Sequence, residues 1–191
     1  MLPYAVPFWA VWVWAFLPEF RLMYRSRQAR SGGASQDAGS LRVIAYVGML
    51  ASWLAFVVAF HRTGQLPRAW WPFAVAVGLA AVVAGGLLRR HCWRVLGEFF
   101  TGEVRVRADQ PVVERGAYAW VRHPGYAAGI LMNVGMGVAM ASWLSATLLL
   151  AASAVVYGYR ISVEERALVA TIGEPYRAYM RRHKRLIPHV L

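Results

Sequence analysis

Cysteine is nearly absent. Cys92 stands alone among 191 residues, so no disulfide can form within the chain. It adjoins His91, but no second cysteine and no His-x-x-x-His pair completes a ligand set. An inert thiol is expected there, and no metal. Acidic charge is also scarce, with nine Asp and Glu against 21 Lys and Arg and a formal net charge of +12. Lysine is almost missing from that basic set, since Lys184 is its sole member. Charged residues of both signs make up 16% of the chain, against about 25% in ordinary soluble domains. Nucleotide-binding signatures are missing as well. No Gly-x-Gly-x-x-Gly follows a strand pattern, and no P-loop or Gly-x-Ser-x-Gly occurs. No apolar segment carries a chain of acids or histidines of the kind a proton-coupled transporter uses.

Apolar residues are abundant, at 59% of the chain with nine Trp, and they come in blocks. That pattern identifies an all-α integral membrane protein. Five spans can be drawn in one domain. Three lie within residues 1–88: Leu2–Leu17, extendable towards Tyr24, then Leu41–Phe60 and Trp70–Leu88. A connector follows at 89–124. The uncharged stretch Gly125–Tyr159 is 35 residues long. One helix of that length would be about 50 Å, against a hydrocarbon core of about 30 Å. It is therefore expected to fold as a hairpin over 125–159, turning near Ala141–Ser145, with Trp143 at an interface. Residues 160–191 form a last region. It starts helical, breaks at Gly173-Glu174-Pro175 and resumes as an amphipathic helix. The N-terminus lacks a basic leader, so its apolar run reads as a retained span.

The placement of the basic residues sets an expected orientation. Arg62 and Arg68 fall on one side, and the other 19 basic residues fall on the opposite side. The positive-inside rule makes that richer side cytoplasmic, with the N-terminus outside and the C-terminus inside. The charge is then a topology signal matched by anionic lipid headgroups, and nucleic acid is excluded as a partner. Arginine in place of lysine hints at a GC-rich bacterial genome and hence the cytoplasmic membrane. On this side the Gly/Ser-rich segment 25–40 is expected to be a flexible loop. Val104 and Val106, with Val112 and Val113, are expected to flank a short hairpin.

Two clusters can carry chemistry. The first is Tyr118 to Gly129. Proline at 124 pushes His123 out of the helical region and suits the first turn of a helix. The free amides of that helix, with Arg122 and His123, would favour an anionic group. Gly125 and Gly129 would admit a backbone or a flat ligand. Equally, Arg and His at a span boundary can be interfacial anchors, as can Tyr118, Trp120 and Tyr126. The second cluster is Arg160 with Glu164 and Glu165. Arg160 and Glu164 share a helix face, either as a surface pair or as a site at the membrane edge.

The order of three motifs points further. Arg122-His123-Pro124-Gly125-Tyr126, then the hairpin, then Glu164-Glu165-Arg166-Ala167-Leu168, then the run from Gly173 to Pro188 resemble the isoprenylcysteine carboxyl methyltransferase family. The resemblance covers about Trp93 to Pro188, and parts of it are shared by phospholipid N-methyltransferases. It implies S-adenosyl-L-methionine as cofactor and a lipophilic or lipidated acceptor entering from the bilayer, with no obligate protein partner. It places cofactor contacts at Gln110, Pro111, Val112, Val113, Tyr118, His123, Pro124, Gly125, Tyr126 and Glu164. Gln110 stands where the family commonly has histidine. It gives Arg160 the task of holding the substrate carboxylate. The alternatives are N- or S-methylation of a lipid amine or hydrophobic thiol, and a non-enzymatic membrane protein.

Overall fold

The computed structural model describes residues 4–28, 37, 39–100, 104, 106 and 110–188. Among these residues the structure is helical, with no β-strand. Six α-helices follow in order: α1 Ala5–Gln28, α2 Ser40–Phe60, α3 Trp71–Leu96, α4 Pro124–Ala139, α5 Trp143–Ile172 and α6 Glu174–Arg182. Single 3-10 turns at Arg68–Trp70, Gly97–Phe99 and Gly116–Ala119 complete the regular structure.

Three helical stretches are long and apolar enough to cross a membrane: Ser40–Phe60, Arg68–Leu96 and Trp143–Ile172. At 16 residues α4 is about 24 Å long, short of a typical span. It packs between α3 and α5. The seam with α3 is made by backbone. A Cβ on Gly85 would lie 2.7 Å from Met132 Cγ and 2.9 Å from the Ala128 carbonyl, and one on Gly78 would overlap the Ala139 backbone. Small residues of this kind let helices approach where water supplies no driving force. Buried polar contacts bind the other seams. Asn133 donates to Ser153 Oγ at 3.0 Å between α4 and α5, and Ser145 Oγ donates to the Ala55 carbonyl at 2.9 Å between α5 and α2. Phe8 of α1 meets Phe56 of α2 edge-on, with Ala51, Met136 and Leu149 beneath them.

Local signals set most boundaries. Pro124 opens α4. Ala141 turns the hairpin with φ of 50°, and Ser142 caps α5 by accepting the Ser145 amide at 3.2 Å. Trp143 is 57% exposed, as an interfacial anchor would be. Gly173 ends α5 with φ of 75°. Three expectations need correction. Residues 25–28 continue α1, because the apolar helix has no stop signal there. The rest of the expected loop, 29–36 and 38, lies outside the described residues, but Asp37 and Ser40 are buried and bonded. Among the described residues the expected hairpin has no strand, since Val104, Val106, Val112 and Val113 are in none. Val104 and Val106 instead pack on Val163 and Ala167 of α5. Residues 105 and 107–109 of that hairpin lie outside the described residues.

Candidate active site

The N-terminus of α4 is held from three directions. His123 is non-helical, with φ −127° and ψ 55°, as the following proline demands. Its amide donates to the Arg185 carbonyl at 2.9 Å, and the Arg122 amide donates to Lys184 at 2.8 Å. The segment after α6 thus pairs with the chain entering α4. Arg89 of α3 donates to the Gly125 carbonyl at 2.7 Å while ion-paired to Glu19 of α1 at 2.6 Å.

Glu165 is the hub beneath. It is 4% exposed. Oε1 accepts Arg122 Nε at 3.0 Å and meets His123 Nε2 at 3.2 Å, and Oε2 accepts Arg185 Nη2 at 2.7 Å. Arg122 is committed further, donating to the carbonyls of Met180 and His183. Arg122 also lines the cavity described below. It is ion-paired with Glu165, which it shares with Arg185, and it fastens the C-terminal segment to α4.

Glu164, one residue earlier, points to the other side. Its Oε2 accepts the Tyr126 hydroxyl at 2.6 Å, and the same hydroxyl accepts Arg160 Nε at 3.2 Å. Arg160 and Glu164 are thus linked through Tyr126, and the simple surface pair is not what forms. Arg160 is 4% exposed and ion-paired to Asp37. His123 stacks on Tyr126 with ring centres 5.6 Å apart, and Tyr126 stacks on Tyr157 at 5.2 Å. Tyr157 packs against Gly129, where an added Cβ would overlap its hydroxyl, and Gly129 also lines the cavity. A Cβ on Gly125 would meet only ordinary contacts, the nearest 3.6 Å from Arg89. Of the three aromatics read as possible anchors, Trp120 is exposed, whereas Tyr118 is buried and Tyr126 faces inward. Burial, reinforced by Cys92 and the Glu164 carboxylate, holds the Tyr118 phenol well above its ordinary pKa, so it remains a donor.

These groups surround one cavity of about 680 Å³. Gln110, Pro111, Val112, Val113, Tyr118, His123, Gly125, Tyr126, Arg160 and Glu164 all line it, while Pro124 is buried behind it as the first residue of α4. From this polar end the cavity runs along Met132, Met136, Leu149, Trp12, Phe16 and Phe56. Leu149 and Glu164 lie on one face of α5, about 22 Å apart along its axis. Sequence reasoning missed Asp37, Arg89, Tyr157 and the central place of Glu165. Paired acids in Glu164-Glu165 were visible, but which one faced inward depends on α4 and the tail.

The model of the isoprenylcysteine carboxyl methyltransferase family matches residues 76–170, which contain the α3–α4–α5 core and most of the site. The chain belongs to the isoprenylcysteine carboxyl methyltransferase family. Its relatives include protein-S-isoprenylcysteine O-methyltransferase B of Arabidopsis thaliana, 28% identical over 75% of this chain and 73% of the plant protein. The Tribolium castaneum protein-S-isoprenylcysteine O-methyltransferase is 25% identical over 75% of this chain and 51% of its own length. The solved structure of a eukaryotic intramembrane Ras methyltransferase of this family aligns with a TM-score of 0.64 at 25% identity, covering 74% of this chain and 52% of that one. The chain thus spans about half the length of the insect relative and of the solved homologue. Like the intramembrane fold of its family, it is an integral membrane protein.

Proposed function

We propose that this chain is a single-domain, S-adenosylmethionine-dependent methyltransferase that converts the carboxylate of an isoprenylcysteine-type or other lipophilic acceptor to its methyl ester. One observation carries the reading. Arg160, a buried cation, lines the cavity where its polar end gives way to its apolar length.

The polar end suits the donor's chemistry. His123, Tyr126 and Glu164 offer polar groups to an amino-acid moiety, and the Tyr157 ring lines the same end. Gln110 to Val113 and Tyr118 line the same end. When bound, S-adenosylmethionine supplies an electrophilic methyl group on sulfonium. An acceptor carboxylate is ionised at neutral pH and needs no general base. The chain's own work is then to bind and orient. Arg160 holds the carboxylate, the apolar length holds the lipid tail, and enclosure by α1, α2, α4 and α5 limits water at the reacting end.

The reading includes five passes, with α1 and α4 joining the three most apolar stretches. The N-terminus lies outside and the basic connector and tail face the cytoplasm, beside anionic lipid headgroups. No obligate protein partner is invoked.

The test is transfer of labelled methyl from S-adenosylmethionine to N-acetyl-S-farnesylcysteine by the protein in nanodiscs. A base-labile methyl ester is expected. Arg160→Ala should lose turnover at least a hundredfold while S-adenosylhomocysteine affinity stays within twofold. A base-stable product on an amine or thiol acceptor, with a rate that climbs through the acceptor's pKa, would transfer the reading to N- or S-methylation. Absence of any product from a well-folded wild type that binds no S-adenosylhomocysteine would end it.

A further inference from the structure

Asp37 belongs to none of the motifs, yet it joins three parts of the molecule. Its side chain is buried. Oδ2 accepts the Leu41 amide at 2.9 Å and so caps the first turn of α2. Oδ1 accepts the Ser40 hydroxyl at 2.9 Å and the Val104 amide of the connector at 3.2 Å. The same oxygen is ion-paired with Arg160 Nη1, which also donates to Ser40 Oγ.

Three physical facts give this contact a role. A guanidinium buried as deeply as that of Arg160 is strongly unfavourable without a counter-charge. Burial raises the pKa of Asp37, but the Leu41 amide, Arg160 and the Ser40 hydroxyl outweigh it, so the carboxylate stays ionised. Finally, Arg160, Tyr126 and Glu164 line the cavity, whereas Asp37 and Ser40 do not. Asp37 therefore grips Arg160 from behind. With Nη1 held there and Nε on the Tyr126 hydroxyl, both the position and the plane of the guanidinium are set.

We propose that Asp37 is a positioning residue, which fixes Arg160 from behind so that its cavity-facing side meets the acceptor carboxylate in one orientation. This rests on the role proposed above for Arg160. The α2 cap and the connector thereby become part of the site's support, although neither touches the acceptor carboxylate in this scheme. A competing arrangement has the opposite sign. If Asp37 and the acceptor carboxylate competed for Arg160, removing Asp37 would tighten acceptor binding.

The experiment uses the full chain in nanodiscs with N-acetyl-S-farnesylcysteine as probe acceptor. Asp37→Asn keeps the size and an oxygen for the cap but loses the charge. It is expected to lower kcat at least tenfold, with the acceptor KM not reduced and S-adenosylhomocysteine affinity within twofold. Asp37→Glu is expected to recover part of the rate. A wild-type kcat for Asp37→Asn reduces Asp37 to a helix cap and overturns the proposal, and a fall in acceptor KM overturns it in favour of competition. A second readout needs no turnover. Thermal unfolding of the ligand-free protein should show that Asp37→Ala lowers Tm and that adding Arg160→Met recovers at least half of the loss, because the pair is coupled. No recovery refutes the coupling. Full activity of Arg160→Ala would sink the reading of Arg160 itself, and the unfolding cycle would still report on the pair.

Discussion

Glu165 carries more of the site's integrity than its neighbour Glu164, although the two are adjacent and chemically alike. It meets Arg122, His123 and Arg185 from within the protein, while the Glu164 side chain is 31% exposed and bonded to Tyr126. Removing one member of such a buried network leaves charge uncompensated, at a cost of about 3–5 kcal/mol. Glu165→Ala should therefore lower Tm sharply and weaken S-adenosylhomocysteine binding through a displaced His123. Glu164→Ala should leave Tm nearly unchanged and lose the binding, and thermal shift with calorimetric titration separates the two. Asp37 gives a pH signature. Its pKa is lowered on folding from the ordinary 3.8. Its contribution to stability is then fully present above that value and is lost as pH falls through the depressed folded value. Tm measured from pH 6 downward should fall more steeply for wild type than for Asp37→Asn.

The helices that frame the cavity depend on a few close approaches. α3 and α4 touch backbone to backbone at Gly78 and Gly85. Gly78→Ala would drive the helices apart, and overpacking of this kind costs about 1–3 kcal/mol. Tm should drop, and because α4 begins at His123 and Pro124, ligand affinity should drop with it. The hairpin turn is cheaper to disturb. Ser142→Ala removes a cap worth about 1 kcal/mol and should lower Tm with little effect on turnover. These elements were largely readable beforehand. Apolar blocks, Pro124, the Ala141–Ser145 turn and Gly173 are local signals, and the structure puts boundaries at each. The connector was not readable. Val104 and Val106 look like half of a strand pair, but their apolar faces are satisfied by α5, a contact that short-range pattern cannot anticipate.

The whole molecule is a bundle that leaves one long space among α1, α2, α4 and α5. Large apolar side chains also cover its outside. Val6, Phe60 and Val155 are 80%, 83% and 68% exposed, which is costly in water and favourable against lipid. If the polar end binds the donor and the apolar length binds the acceptor's tail, the two functions are separable. Ala152 lines the apolar length between Leu149 and Val156. Ala152→Phe should raise the KM for N-acetyl-S-farnesylcysteine about tenfold, less for a geranyl analogue, with S-adenosylhomocysteine affinity within twofold. Equal loss for both ligands would show that the space is not divided in this way.

Composition and order along the chain were enough to establish a helical membrane protein, most of its boundaries and the family. Each of those follows from hydrophobic runs, helix start and stop residues, and short motifs, which act over a few residues. The partners of the charged side chains were settled by folding alone. Arg160 and Asp37 are 123 residues apart in sequence, and Arg122 and Glu165 are 43 apart. No spacing rule reaches that far. Which carboxylate meets which guanidinium follows from how α2, α4 and α5 pack, because a buried charge takes whatever counter-charge the packed helices bring within reach.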